Sequence, residues 1–344
     1  MIKNGFVAIA TGAAVAMMAS GAAMAAYQTP ATTVLSSTVN QQSSTTTSKT
    51  LNAGIQSSGG GSNMFRGGRG PSTSSLLDAG AKGFSAQGNE PRFGVWGQYG
   101  YTIFDEDQSA IDSDGKSHTV AFGGDYRFNR WLIGGLALAY ERTDVDTTFN
   151  LGKLDQTGYV VAPYAVFALI QNRLFLDVSA GYVFGDQDTE RNSGRIRGST
   201  DTSRIFGAAN LTASLEHKNW NFRPGTGILW SRSQSEAYRE SNATAVPKVV
   251  DHFGRMRLGT EVGYQFAKWE PFVMADYTYD YKFDYAKVGA GQIQPKEHRS
   301  AATFGLGANI ALTNSLTGSL RGTTEAFRKD NSQHSFTGSM RYAF

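Results

Sequence analysis

The chain has 344 residues, a formal net charge of +3, 40 glycines, no cysteine, and 18% charged against 12% aromatic residues. The missing cysteines exclude a disulfide framework and any thiolate metal site, and the near-neutral charge, with no basic stripe or recognition motif, points away from nucleic acid. A negative mean hydropathy is too polar for a bundle of membrane helices, whereas a membrane barrel tolerates it, because only alternate residues meet lipid.

Residues 1–25 have the parts of a secretory signal. Lys3 supplies the positive start, an apolar run follows from Phe6 to Met18, and Ala23-Met24-Ala25 forms a small-x-small cleavage site. No later stretch approaches the roughly 18 apolar residues that a membrane helix needs, so an integral membrane protein of this sequence must be a barrel. Residues 26–90 are rich in Ser, Thr, Gly and Gln and predict a disordered tether. Within it, Ser75-Leu76-Leu77-Asp78 resembles a capping box and marks a marginal helix over residues 76–81. The Arg66-Gly-Gly-Arg69-Gly segment reads as flexible linker.

From residue 91 to the end the texture changes to alternation. Phe336, Met340, Tyr342 and Phe344 share one face of the last segment, and Ser335, Thr337, Ser339 and Arg341 share the other. Leu316, Leu320 and Ala326 alternate with Thr317, Ser319, Arg321, Thr323 and Glu325 in the same way, as do Met256, Leu258, Val262 and Tyr264 with Arg255, Arg257 and Glu261. A period of two means strands. Runs of about ten residues suffice to cross a bilayer at a tilt. Short polar links at Asn129-Arg130, Gln171-Asn172-Arg173, His217-Lys218-Asn219, Lys268 and Thr313-Asn314 alternate with longer charged ones at 105–116, 143–155, 185–198, 233–249 and 283–297. Short periplasmic turns and longer external loops are the habit of outer-membrane barrels. The fold expected is therefore all-β, a transmembrane antiparallel barrel of about 12 strands at residues 91–344, behind a disordered polar segment.

Aromatics sort to both strand ends. Phe128, Trp131, Phe175, Trp220, Phe222, Phe266, Trp269 and Phe344 lie beside the short turns, and Tyr101, Tyr140, Tyr182, Trp230, Tyr279 and Tyr281 near the long loops, as two interfacial girdles would. The polar faces carry Arg127, Arg255, Arg257, Glu261, Asp276, Arg321, Glu325 and Arg341, together with Asp125, Asp177, Arg204, Arg223 and Glu270. Facing lipid, an Arg at mid-membrane would cost about 2–4 kcal/mol, so these charges belong in the lumen. Both signs occur, which predicts a salt-bridged interior. Residues 159–169 are apolar on both faces, and their register is open.

At this point the residues resemble the autotransporter β-domain, the translocator of type V secretion. Val95-Trp96-Gly97-Gln98, Trp131-Leu132-Ile133-Gly134-Gly135-Leu136-Ala137, the segment Phe253-Gly254-Arg255-Met256-Arg257-Leu258-Gly259-Thr260-Glu261-Val262-Gly263-Tyr264 and Trp269-Glu270-Pro271-Phe272 carry the similarity over residues 93–344. The resemblance implies a twelve-stranded barrel with an amino-terminal segment through its lumen, and export or display of what precedes it. Phe336, Met340, Tyr342 and Phe344 are similar to the terminal signal read by the barrel-assembly machinery. That machinery and outer-membrane lipids are the implied partners. Only the short tether precedes the barrel here, where the family carries a long passenger, and no solenoid repeat is found.

Other chemistry finds little support. His298 with Ser300, and His334 with Ser335, could suggest a membrane esterase but lack an acidic orienter or an oxyanion motif. Asp112-Ser113-Asp114-Gly115 begins like a calcium loop without the later ligands and reads as solvated loop. The expectation is a non-enzymatic, integral outer-membrane protein, monomeric, without cofactor or metal. The competing reading is a passive pore or structural barrel with partner-binding external loops.

Overall fold

A computed structural model describes residues 35–57, 92–107, 112–283 and 298–344. Residues 1–25, read as a secretory signal, the Arg66–Arg69 segment, the Ser75–Asp78 stretch read as a capping box and most of the 283–297 link lie outside the described residues.

The alternating segments form twelve strands: β1 Phe93–Glu106, β2 Ser113–Asn129, β3 Leu132–Thr147, β4 Gly152–Ile170, β5 Leu174–Arg191, β6 Ile196–Ala213, β7 Trp220–Ser235, β8 Val249–Tyr264, β9 Trp269–Phe283, β10 Ser300–Ala311, β11 Leu316–Ala326 and β12 Asn331–Ala343. Each is antiparallel to its neighbours in sequence order, and β12 closes the ring on β1 from Gly94↔Ala343 to Glu106↔Asn331. A short strand, Leu215–His217, continues β6 past Ser214 and pairs with the start of β7. Among the described residues, closure leaves none of the twelve strands at an open sheet edge, where hydrocarbon would penalise unpaired backbone. Among the described residues, no helix is long and apolar enough to cross a membrane.

Short turns join β2 to β3, β4 to β5, β6 to β7, β8 to β9 and β10 to β11. At Gln171-Asn172-Arg173 the left-handed position is taken by Asn172 (φ 61°), a residue type that tolerates it. The opposite end differs from expectation. Residues 143–155 and 185–198 are not long loops: β3 and β4 run to Thr147 and from Gly152, and β5 and β6 run to Arg191 and from Ile196. Asp112-Ser113-Asp114-Gly115 is likewise no solvated loop, since Ser113 already opens β2. The charged residues kept the period of two, with Val145 and Leu154 inside and Asp144, Asp146 and Asp155 turned outward. The ladder could therefore continue. With 19 residues in β4 and 18 in β5, against about ten needed to span, these strands project beyond the hydrocarbon as a palisade. Strands β10 and β11, at 12 and 11 residues, leave the rim low on the far side.

The lumen is filled. Residues 35–57, expected to be disordered, form a helix, α1, lying inside the barrel. Its presence also explains the ambiguous register of β4: Val160, Ala162, Tyr164 and Val166 point inward, and Tyr159, Val161 and Leu169 outward. The inward apolar residues meet Leu51 and Ile55 of α1 in the main buried cluster.

Candidate functional site

α1 is built against its own propensities. Ser and Thr compete for backbone hydrogen bonds and form helices poorly, yet residues 43–48 read Ser-Ser-Thr-Thr-Thr-Ser. Apolar pairs at i,i+4 pin the two ends. Leu35 and Val39 pack with Phe104, Val145 and Leu154 inside the palisade, while Leu51 and Ile55 pack with Trp96, Ile133 and Val160 nearer the short turns. The helix therefore runs from the palisade end to the short-turn end as the chain proceeds. Gly54 permits the close approach of Trp96, because a Cβ there would lie 2.4 Å from the indole.

Between the pins, side-chain hydrogen bonds hold the polar stretch. Ser37 donates to Asp251 (2.7 Å), Gln156 donates to Asn40 (3.1 Å), Gln187 to Ser36 (3.0 Å), and Ser44 and Ser231 share a bond of 3.1 Å. Thr47 donates to Glu141, which is itself held by Arg204 at 2.7 Å to both carboxylate oxygens. Hydroxyls that destabilise an isolated helix are thus what the polar lumen recognises. Burying them unpaired would cost about 1–3 kcal/mol each, and the docked helix pairs many of them.

The lumen charges stand on the inner face and meet in pairs. Arg255 is bidentate to Asp280 (2.5 and 2.9 Å), Arg257 reaches Asp276 (3.1 Å), Arg321 reaches Glu261 (2.7 Å) and Glu325 takes Arg328 (2.7 Å). Arg223 bridges Glu261 and Glu270. Arg127 and Asp177 are buried at the short-turn end. Three partners were missed from sequence: Glu141, Asp280 and Arg328. Asp280 shares the parity of Asp276 and was findable. Arg328 sits in a turn, where parity says nothing.

A relay at the short-turn end crosses the seam that closes the barrel. The Trp96 indole N–H donates to the Tyr164 hydroxyl (2.8 Å), and that hydroxyl donates to Asp125 (2.8 Å). Arg341 grips Asp125 with two bonds of 2.8 and 2.6 Å. Strands β1, β4, β2 and β12 are joined by four side chains. Gly123 and Gly135 make room, since a Cβ at either would lie 2.2 Å from Trp96 or 2.4 Å from Tyr164.

The outer face is apolar at membrane depth, with Leu306, Leu258 and Phe122 each more than 60% exposed. Phe336, Met340, Tyr342 and Phe344 all point outward. Phe128, Trp131, Trp220, Phe222, Phe266, Trp269 and Phe344 form the girdle at the short turns, and Tyr140, Tyr182, Trp230 and Tyr279 are exposed toward the other end. Phe175 is a correction: it is 2% exposed and points into the lumen, because β5 turns its odd residues inward beside Asp177. His334 and Ser335, being consecutive in β12, point to opposite faces and cannot act together. His298 lies 3.8 Å from Asp330.

The model of the family described as "Autotransporter beta-domain" matches residues 93–323. The chain belongs to the autotransporter β-domain family. Among solved structures, the translocator domain of the autotransporter NalP from Neisseria meningitidis superposes with a TM-score of 0.64 at 14% identity, over 82% of this chain and 100% of that one. The β-domain of the Bordetella autotransporter BrkA gives 0.61 at 20% identity, over 74% and 100%. The transport unit of the autotransporter AIDA-I from Escherichia coli gives 0.57 at 14%, over 80% and 99%. No curated protein matches the chain in sequence. As an autotransporter barrel the protein is integral to the outer membrane, with its apolar band against lipid.

Proposed function

We propose that this autotransporter barrel carries its own amino-terminal segment, the residues before α1, to the cell surface and then anchors it there through α1. The observation behind this is the direction of the helix. Leu35 lies among palisade residues and Ile55 among residues of the opposite end, so the amino terminus of α1 stands at the palisade rim, which is the outward rim in this reading. In this reading residues 1–25 direct export and are removed. Phe336, Met340, Tyr342 and Phe344 are what the barrel-assembly machinery reads, and the barrel works as a monomer without enzymatic activity. A lumen occupied by α1 and crossed by ion pairs favours translocation and anchoring over an open passive pore.

The test is protease shaving of intact cells expressing the full chain with an epitope inserted after Thr32. Loss of the epitope to added protease, with the barrel intact, is the expected result. An epitope reached only after the outer membrane is permeabilised would overturn the reading.

A further inference from the structure

Toward the palisade, the exposed cations of the wall are matched by carboxylates. Arg142 meets Asp144 at 3.0 Å, while Lys153 meets Asp146, Arg197 meets Glu190 and Lys248 meets Glu236, each at 3.1 Å. Lys116 stands directly across from Asp144. Arg232, exposed on the outward face of β7, is different. Among the described residues it forms no ion pair and no hydrogen bond. Directly across from it stand Ile205 of β6 and His252 of β8, and its outward neighbours along β7 are Trp230 and Gln234. None of the four is a carboxylate.

Its depth is that of the aromatic girdle. Tyr182 pairs with Ile205 and so shares the row of Arg232, and Trp230 lies one outward position deeper. A guanidinium is tolerated there, though not at mid-membrane, because a long stem can lie along apolar neighbours while the head reaches the headgroups. Ile205 and Trp230 are those neighbours, 48 and 40% exposed. Below them the wall is hollowed on one side of the indole. Trp230 is flanked by Gly254 and Gly207. Tyr281 covers Gly254, where a Cβ would lie 2.4 Å from its ring, but a Cβ on Gly207 would meet nothing nearer than 3.9 Å. Ala180 pairs with Gly207 and extends this furrow onto β5.

We infer that Arg232 and the furrow beneath it seat one phosphorylated membrane lipid. The planar guanidinium donates two parallel hydrogen bonds to the phosphate, a geometry to which it is matched. An acyl chain lies over Gly207 and Ala180 against the open side of Trp230. Charge complementarity selects the occupant, since phosphate is the anion that a leaflet brings to girdle depth and no protein carboxylate competes for Arg232. The site goes beyond the proposed display of the amino-terminal segment, because it belongs to the outward wall and holds whatever α1 carries.

Native mass spectrometry of the full chain, released from detergent with dimyristoyl phosphatidic acid added, tests it. One tightly retained lipid is expected, with retention about tenfold weaker in Arg232→Gln, as for loss of a charge-assisted contact. Arg142→Gln, which removes a cation already held by Asp144, should retain the lipid like the parent chain. Undiminished retention in Arg232→Gln, or an equal loss in Arg142→Gln, would overturn the site. So would equal retention of dimyristoylglycerol, which lacks the phosphate, or of inorganic phosphate, which lacks the chains. Should Arg232→Gln fail to assemble, Gly207→Leu fills the furrow and leaves the charge; weaker retention is then expected, and retention equal to the parent's would sink the proposal.

Discussion

Tyr164 shows how one inward side chain can hold a barrel closed. Its hydroxyl accepts from Trp96 and donates to Asp125, so Tyr164→Phe takes the acceptor from a buried indole N–H and one donor from a carboxylate that Arg341 still holds. A loss of about 1–3 kcal/mol is expected, read as a lower denaturant midpoint of the refolded barrel. The Arg341–Asp125 pair is sharper, being 3% and 0% exposed at the side chains. Removing either partner strands a buried charge at a cost of about 3–5 kcal/mol. Asp125→Asn with Arg341→Gln should recover much of that loss in a double-mutant cycle, and additive losses would show the two residues do not act as a pair. Phe327 presents the opposite case. It is 83% exposed at φ 64°, a left-handed position disfavoured for a bulky residue, while neighbouring Arg328 reaches inward to Asp280 and Glu325. Phe327→Asn should raise the unfolding midpoint, by an increment worth about 1 kcal/mol.

At the scale of elements, α1 and the barrel wall depend on each other. The Ser/Thr stretch has little reason to be helical in water, and without it the inward apolar patch of β3 and β4 would face a wet lumen. Gly54→Leu places a branched side chain where the Trp96 indole already lies, so α1 should lose its seat while the strands still close. Planar-bilayer recordings of that variant should show a larger current than the parent chain; an unchanged current would mean that α1 does not block the lumen. The docking was only partly legible in the sequence. Leu35/Val39 and Leu51/Ile55 have helical spacing, but between them lies a composition that reads as disordered, and no local signal records that hydrogen-bond partners wait 94 to 214 positions away.

For the whole molecule, the governing fact is two-sidedness. Outward residues such as Leu258, Leu306 and Phe122 are 63–69% exposed, which only lipid or detergent can cover without a large penalty for wetted apolar surface. The same asymmetry orders the ends: short turns on one rim and, on the other, strands that are longest at β4 to β6 and shortest at β10 and β11. That unevenness was hidden, because charged segments such as 143–155 suit a solvated loop and a solvated strand equally well. Parity survives in them, and Val145 and Leu154 were the clue, buried against Leu35 and Val39.

The sequence by itself determined that there are strands, which of their faces is apolar, and that their number closes a barrel, because a period of two is a local property and hydrocarbon admits no open edge. It also placed the lumen charges, since each follows the parity of its own strand. Only the tertiary structure decided which charge meets which, where strands continue past the membrane, and that a Ser/Thr-rich segment becomes a helix. Those outcomes rest on contacts between residues far apart in the chain, and a hydroxyl or carboxylate carries no mark of its partner until the ring has closed around it.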